Sequence, residues 1–264
     1  MRSTSVVCLL ALACATVVVA CSSDPEPAGA DDGGPTVSLG DAGVIDARTS
    51  DGDKTVVDGG YAGPDGAVVR ADRFVTKVVS ATYGDCAGFG LPSMPAVVLG
   101  PPVGAGALSG GLDVVSLGFR GELVLSFEPN EIVDGPGADF IVFENAFWAG
   151  GNPNKPTAEL ADVSVSDDGV TWKTFTCTPG AAPPYTGCAG WRPIYAAPGN
   201  GISPVDPATA GGDPFDLAEL GVNSARFVRI RDLGTVPCPT NPANKSTSVG
   251  FDLDAVSVVN AKTP

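Results

Sequence analysis

The sequence predicts an all-β fold, an antiparallel β-sandwich or jelly roll, for residues 73–264. Short apolar or alternating runs recur in this region between turn residues, which is the spacing expected of antiparallel strands. No long amphipathic helix interrupts these runs, and no motif repeats at a fixed period, which disfavours propellers and solenoids. The region is also long enough to enclose a hydrophobic core.

Nine runs have the length and composition of strands. In chain order they are 74–83, 96–99, 112–117, 122–127, 140–143, 162–166, 171–176, 226–231 and 252–259. One short helix is predicted from Asp213 to Gly221, with Asp213 as the N-cap, Pro214 at the first helical position and Gly221 beyond the end.

An Asp-Gly pair at Asp168-Gly169 lies between two of these strands and predicts a hairpin turn. Trp172 follows the turn. We expect its ring to fill the core, because aromatic side chains on strands usually do so.

Four cysteines of the domain form an even set, which allows two disulfides in an oxidising compartment. Cys177 and Cys188 flank a short segment rich in Pro and Gly, so we pair these two, which leaves Cys86 with Cys238. Four cysteines allow three connectivities, and the pairing stays open at this point. A zinc site is disfavoured because the chain has no C-x-x-C spacing and no histidine.

The first 20 residues predict an export signal. An apolar stretch from Val6 to Ala20 follows Arg2 and is shorter than the roughly 20 apolar residues that a membrane-spanning helix needs. Ala20 and Cys21 resemble the lipobox of bacterial lipoproteins, although the two preceding valines depart from its usual residues. This resemblance implies a lipid on Cys21, the membrane as a partner, and a location at the outer membrane or cell surface. The alternative is ordinary secretory cleavage that leaves Cys21 as a thiol.

Residues 21–72 predict a disordered acidic tether. From Ser22 to Asp72 the segment has eleven acidic residues, three basic residues and few large apolar side chains. Such a segment buries too little surface to order itself, and its like charges extend it. We therefore expect it to hold the folded domain away from a membrane surface.

Charge and composition restrict the possible functions. The formal net charge is −15, whereas nucleic-acid binding needs a basic face, so nucleic acid is disfavoured as a partner. The chain has no histidine, which excludes Ser-His-Asp and Cys-His nucleophile systems. Cations and neutral sugars remain compatible with this composition.

Six stretches carry a resemblance to a known group of proteins. They are 98–102, 115–118, 134–145, 164–172, 225–232 and 250–256. In order and spacing they resemble exported bacterial cell-surface proteins with galactose-binding-like (discoidin-like) jelly-roll domains. The resemblance spans nearly all of the domain and implies a jelly-roll fold. It also implies a binding function without specifying the ligand.

Acidic residues within strand-like segments are candidates for a structural calcium site. A buried carboxylate is costly unless it is paired or ligates a metal, and Ca²⁺ prefers oxygen ligands. Asp254-Ala255-Val256 resembles the position of a calcium ligand in carbohydrate-binding jelly rolls, and Asp252 shares its strand face. The proposed ligands are Asp139, Glu144, Asp252 and Asp254. The alternative for the last two is ion pairing with one of three arginines, Arg226, Arg229 or Arg231.

Two connections between strands carry aromatic side chains beside hydrogen-bond donors. Trp148 lies in one, and Trp191, Arg192 and Tyr195 lie in the other. A flat apolar face beside directed donors suits a sugar ring, so we predict that these four residues contact a glycan or another cell-envelope ligand. The alternative is that the aromatic rings anchor long loops to the sandwich.

The sequence favours a binding module over an enzyme, and two other functions remain open. A carboxylate-based glycoside hydrolase would use Glu144 together with Asp139 or Glu159. A structural envelope protein would have no small ligand.

Overall fold

The computed structural model of the chain describes residues 54, 56–57, 59–241 and 246–263. The predicted export signal, the lipidation candidate Cys21 and most of the predicted tether lie outside the described residues. Within the described part, no helix is long and apolar enough to cross a membrane.

The described residues are built mainly from short strands, numbered in chain order. Their bounds are β1 Val56–Val57, β2 Gly60–Ala62, β3 Val68–Arg70, β4 Lys77–Thr82, β5 Val115–Ser116, β6 Glu122–Ser126, β7 Ile132–Val133, β8 Phe140–Glu144, β9 Phe147–Trp148, β10 Pro156–Thr157, β11 Ala161–Ser166, β12 Lys173–Thr174, β13 Asp213–Phe215, β14 Ser224–Ala225, β15 Phe227–Asp232 and β16 Asp252–Val258. The helical elements of this part are single 3₁₀ turns at Pro64–Gly66, Ala71–Arg73, Leu91–Ser93, Ala96–Val98, Ala149–Gly151 and Leu217–Leu220.

Two antiparallel sheets form the domain. One has five strands in the order β12-β11-β15-β6-β4, and the other has four in the order β13-β8-β16-β5. Neighbouring strands in both sheets pair antiparallel. The all-β sandwich predicted from the sequence is therefore confirmed.

The main core draws on both sheets, because alternate side chains of a strand share one face. The five-stranded sheet contributes Leu123, Leu125, Val163, Val165, Val228 and Ile230. The four-stranded sheet contributes Val115, Phe140, Val142, Leu253, Val256 and Val258. The other face of the four-stranded sheet presents Ile141, Phe143 and Ala255, which pack against Ile194, Ala196 and Ala210. The long connection between β12 and β13 is thereby held against the sandwich.

The hairpin predicted around Asp168-Gly169 is present, with a wider turn than a two-residue loop. Ser164 pairs with Thr174, and Asp168 Oδ1 accepts the backbone N–H groups of Val170 and Thr171. These bonds close a six-residue loop between β11 and β12, in place of the tight turn.

Trp172 is half-buried and lies outside the core clusters. The guanidinium carbon of Arg229 lies 4.4 Å from its ring centroid. Trp172 precedes β12, an edge strand whose two residues are exposed, and this position keeps its ring out of the core.

The helix predicted at 213–221 is wrong in its first half. Asp213 and Pro214 belong to β13, and only Leu217–Leu220 form a 3₁₀ turn. The N-cap is Asp216, whose side chain accepts the N–H of Ala218, while Gly221 ends the turn in the left-handed conformation as predicted. The edge position of β13 explains the difference, because proline is tolerated in edge strands, where its missing N–H breaks no ladder.

The predicted tether, residues 21–72, ends too late in the sequence, because its last part belongs to the folded structure. Backbone segments within residues 56–70 form a three-stranded antiparallel sheet, β1-β2-β3, and Tyr61 packs edge-on to Phe74 with ring centroids 5.4 Å apart. Lys54 Nζ also donates to the carbonyl of Leu99 at 3.0 Å. The average acidic composition concealed the few apolar side chains, such as Tyr61, that order this segment.

Both predicted disulfides are present. Cys86 is bonded to Cys238, and Cys177 is bonded to Cys188. Because disulfides form and persist in oxidising compartments, they indicate that the domain folds outside a reducing cytosol.

Candidate functional site

Three carboxylates from distant parts of the chain converge at one place. Glu144 ends β8, Asp252 begins β16, and Glu159 lies between β10 and β11. One oxygen of each carboxylate lies within 4.8 Å of the other two. We call this set the acidic triad. Leu253 pairs with Glu144 across the sheet, so the antiparallel register of β8 and β16 places two of the three side chains.

The acidic triad is unusual because most of its charge is buried. Glu144 is 2% exposed and Asp252 is 5% exposed, while Glu159 is partly buried. Glu144 Oε2 is buried and has no hydrogen-bond partner among the described residues. A buried carboxylate oxygen without a donor is costly, and it therefore calls for a cation or a proton.

Neutral groups surround the acidic triad. Ser116 and Ser248 donate their hydroxyls to Asp252, and Gly250 donates its N–H to Glu159 Oε1 at 3.1 Å. The side-chain amide of Asn145 also hydrogen-bonds to Asp252, and its Oδ1 is buried without a hydrogen-bond partner in the described part. Carboxylate, amide and hydroxyl oxygens are the ligands that a hard cation takes.

The electrostatics of the triad are those of carboxyl groups whose ionised form is disfavoured by burial. Burial raises the pKa of Glu144 well above its usual range, and the charges of Asp252, Glu159 and Asp213 raise it further. Burial, followed by the charge of Asp252, raises the pKa of Glu159 to about 7. Burial also raises the pKa of Asp252, although hydrogen bonds from nearby donors oppose that effect. A bound cation would reverse these shifts by stabilising the ionised carboxylates.

These pKa directions predict how stability depends on pH when no cation is present. In a chelator, the folded protein retains a proton on Glu159 between pH 4.5 and about 7, where the unfolded chain has lost it. The free energy of unfolding should therefore fall as the pH rises across this window. We expect a decrease of about 1 kcal/mol or more, allowing for the partial exposure of Glu159. Urea denaturation at pH 5 and pH 7.5 measures it, with Glu159→Gln as the comparison variant. A free energy that rises over this range would contradict the prediction.

The ion pairs proposed as an alternative for Asp252 and Asp254 do not form. Arg226 lies 3.3 Å from Asp167, Arg229 lies 3.9 Å from Glu122, and Arg231 lies 3.3 Å from Asp162. In the described part of the chain, the three arginines thus pair with other acids.

Two of the four predicted calcium ligands, Glu144 and Asp252, lie in the acidic triad, and the structure places the other two elsewhere. Asp254 is 1% exposed, and both of its carboxylate oxygens accept the N–H of Val103. A bulge between Leu253 and Ala255 breaks the strand alternation that the shared-face prediction assumed. Asp139 lies in a different acidic group, and its carboxylate accepts donors from Gly135, Leu217 and Asn260. Its hydrogen bonds already explain its burial.

The four residues predicted to contact a ligand line one groove. Trp148, Trp191, Arg192 and Tyr195 border a depression of about 290 Å³, and its other lining residues are proline, alanine and glycine. We call this depression the aromatic groove. The two connections that carry these residues are far apart in the sequence, so only the fold brings them together.

The walls of the aromatic groove are held in place by their neighbours. Trp148 belongs to β9, which pairs with β10, and its N–H donates to Ala107. The guanidinium carbon of Arg192 lies 4.7 Å from the ring centroid of Trp191. Gly211 borders the groove with φ +77°, and a Cβ there would lie 2.1 Å from the carbonyl oxygen of Pro193. Ordered walls lower the entropic cost of binding a ligand.

Asp213 connects the groove wall to the inside of the sandwich. It is 2% exposed, and its Oδ2 accepts the N–H groups of Gly190 at 2.7 Å and Trp191 at 3.2 Å. Arg192 Nε lies 3.8 Å from Oδ1, beyond hydrogen-bond distance. Burial raises the pKa of Asp213 to about 7, and the two N–H donors oppose this effect.

A second, smaller cavity lies beside the amino-terminal sheet. Its volume is about 120 Å³, and it is lined by Tyr61, aliphatic side chains, glycine and several prolines. Among its lining residues in the described part of the chain, none is charged. Unlike the aromatic groove, which is lined by Arg192, it has no charged side chain among its described lining residues to orient a ligand.

The carboxylate geometry suits a cation better than glycoside hydrolysis. Retaining enzymes hold two carboxyl groups about 5–5.5 Å apart and inverting enzymes about 6.5–9.5 Å apart, each flanking an accessible bond. In the triad, a third carboxylate joins Glu144 and Glu159, and Glu144 is buried, so this pair does not flank an accessible bond. Asp139, the other hydrolase candidate, belongs to a separate group.

Glu159 and Asn145 were not predicted to lie at a cation site, and Asp213 was not predicted to hold the groove wall in place. Glu159 enters the triad through its fold position and its bond from Gly250, which no local pattern indicates. Asn145 directly follows Glu144, so its proximity to a predicted ligand was an available signal. Asp213 was interpreted as a helix cap because Pro214 follows it.

Comparisons with known proteins do not identify a family or a function for the chain. No family model and no curated protein matches the chain. Among solved structures, the chain is similar to one described as "Glycoside hydrolase", with 11% sequence identity and a TM-score of 0.27. The match covers 65% of this chain, which spans only 31% of that protein's length. At this level the likeness carries no argument about function.

Proposed function

We propose that the protein is a surface-exposed, lipid-anchored binding module that holds a glycan of the cell envelope in the aromatic groove. One observation carries the proposal. The four side chains that the sequence predicted as ligand contacts, from two separate connections, line the same groove. Trp148, Trp191 and Tyr195 are each partly exposed, so their rings are accessible. Trp191 also packs against Tyr185 and a small buried cluster, so it anchors its connection as well as lining the groove.

The chemistry of the groove suits a sugar ring. Aromatic faces stack against the apolar face of a pyranose ring, and an exposed guanidinium such as that of Arg192 donates to hydroxyl groups. Prolines and glycines complete the lining and add apolar surface without further charge.

The proposal includes a structural Ca²⁺ ion in the acidic triad. Each of the three carboxylates offers one oxygen that lies within 4.8 Å of the other two. Calcium takes six to eight such oxygens with flexible geometry, whereas Mg²⁺ retains several of its waters. The lack of nitrogen and sulfur ligands argues against zinc. The buried, unpartnered Oε2 of Glu144 is the observation that supports a cation here.

Lipid attachment at Cys21 completes the proposal and predicts a specific mass. Protein from the membrane fraction should begin at Cys21 and carry the mass of a diacylglycerol group, because the leader resembles a lipobox. Intact-mass spectrometry measures this, and Cys21→Ser provides the unacylated control. A mature protein that starts at another residue, or that lacks acyl mass, would contradict lipid anchoring and leave the groove proposal unaffected.

A glycan array tests the main proposal. The wild-type domain should bind a defined set of neutral glycans, and variants of the groove should lose that binding. Absence of any glycan ligand would favour a structural envelope role, whereas release of shortened products would favour a hydrolase.

A further inference from the structure

We propose that cation binding in the acidic triad controls the position of Trp191, and hence ligand binding in the aromatic groove. The inference rests on the cation centre proposed above and adds a regulatory link between two features that share no residue. The connecting element is Gly190, which directly precedes Trp191.

Gly190 is enclosed by the immediate neighbours of two triad carboxylates. A Cβ at this position would lie 2.2 Å from the carbonyl oxygen of Glu159 and 3.0 Å from the ring of Phe251, the residue before Asp252. Gly190 has φ +96°, so only glycine fits both the backbone conformation and the space. Gly190 therefore packs closely against the backbone of Glu159 and the ring of Phe251, and we expect a shift of either one to move Gly190.

A backbone bridge strengthens the same connection. Ala161 and Ala189 exchange two hydrogen bonds of 3.0 and 3.1 Å, which ties the start of β11 to the residue before Gly190. Ala161 lies two residues beyond Glu159, so ordering of the Glu159 side chain by a cation restrains this bridge as well.

Asp213 holds the opposite side of the segment. Its Oδ2 accepts the N–H groups of both Gly190 and Trp191. The segment is thus clamped between Asp213 and the backbone around two triad carboxylates, and Trp191 leads directly from the clamp into the groove wall. Gly190 and Asp213 are positioning residues in this scheme, and neither needs to contact a ligand.

A cation bound by all three carboxylates fixes Glu159 in place, which tightens the contact between the Glu159 backbone and Gly190. Without the cation, this restraint on Glu159 is absent. The groove should therefore be ordered when the triad is occupied and looser when it is empty. By thermodynamic linkage, a groove ligand should raise cation affinity by the same factor.

Hydrogen exchange of the wild-type domain tests the link with Ca²⁺ alone as the probe. The N–H groups of Gly190 and Trp191 should exchange at least about fivefold more slowly in saturating Ca²⁺ than in a chelator. The amides of Val170 and Thr171, which bond to Asp168 in the hairpin loop, serve as internal controls and should change much less.

The outcomes separate this inference from the proposed function. Calorimetric Ca²⁺ binding without slower exchange at Gly190 and Trp191 would overturn the link and leave the cation centre standing. Absence of Ca²⁺ binding would overturn both, and the glycan array would still test the groove.

A variant tests whether Asp213 completes the clamp. Asp213→Ala should still bind Ca²⁺ in calorimetry, yet Trp191 should exchange in saturating Ca²⁺ as fast as in the chelator. Asp213→Asn retains an acceptor oxygen and should restore part of the slowing. Slow exchange of Trp191 in a folded Asp213→Ala protein would contradict the clamp. If that variant does not fold, the wild-type exchange experiment still decides the inference.

Discussion

Replacement of Glu144 by glutamine is expected to weaken Ca²⁺ binding by about a hundredfold or more, since loss of even an outer-shell partner costs 10–100-fold. Glu144 is the most buried member of the triad, and its Oε2 has no other partner among the described residues. The variant keeps the size of the side chain and removes its charge. Isothermal titration calorimetry with Ca²⁺ measures the loss.

The same substitution should have an opposite effect on the protein without a cation. At pH 7.5 in a chelator, Glu144→Gln should unfold at the same temperature as wild type or higher, because it removes a buried carboxyl group that costs free energy either as a charge or through the uptake of a proton. Wild type at a Ca²⁺ concentration a hundred times its dissociation constant should gain about 2.7 kcal/mol. That gain corresponds to a rise of about 5–10 °C in Tm, and the variant should lack it.

Asp254→Asn is the matched control for Glu144→Gln. Asp254 is equally buried and lies on the same strand as Asp252, but its carboxylate accepts the N–H of Val103 outside the triad. Its Ca²⁺ affinity should match that of wild type. Equal loss of binding in both variants would mean that the cation lies elsewhere or that general stability decides binding.

Replacement of Trp191 by alanine is expected to lower glycan affinity by about thirtyfold, or about 2 kcal/mol, the scale of a central aromatic anchor. Trp191 lines the groove, carries the guanidinium of Arg192 over its ring, and packs edge-on to Tyr185. Loss of its ring removes both a stacking surface and the support of Arg192. Calorimetry with the best glycan from the array measures the change.

Trp172→Ala controls for the general effect of removing an indole ring. Trp172 is also half-buried and also carries an arginine, Arg229, but it does not line the groove. Its glycan affinity should remain within about threefold of wild type. Circular dichroism checks the fold of Trp191→Ala, and Trp148→Ala offers a second groove variant without the Tyr185 contact. Unchanged binding in both groove variants would reject the aromatic groove as the ligand site.

The accuracy of the sequence-based predictions differed among particular elements for physical reasons. β11 and β15 were predicted correctly because their apolar and polar residues alternate, and one face of each strand packs in the core. The helix at 213–221 was wrong in its first half because Asp-Pro serves both helix starts and edge strands. The tether was drawn too long because composition averages over residues, whereas β2 pairs with its neighbouring strands and Tyr61 packs on Phe74.

Some residues of the candidate site were also predictable from the sequence, and others were not. The set of groove residues followed from their side-chain chemistry, since aromatic rings beside donors on connections are recognisable without a fold. The acidic triad was only half predicted. Glu144 and Asp252 stand out as acids in apolar strands, whereas Glu159 lies in an ordinary connection and reaches them only across the folded domain.

The sequence by itself determined the fold class and the positions of eight of the nine strands in the two main sheets, because these depend on alternation and side-chain type. It favoured the observed disulfide pairing without fixing it, and it selected the four aromatic and arginine residues but not their meeting in one groove. Only the tertiary structure decided which carboxylates share a site and which are satisfied by backbone donors. The strand register and the bulge in β16 separate Asp254 from Asp252, and the hydrogen bond from Gly250 holds Glu159 beside Glu144 and Asp252. Such choices depend on contacts between residues far apart in the chain, which no local pattern encodes.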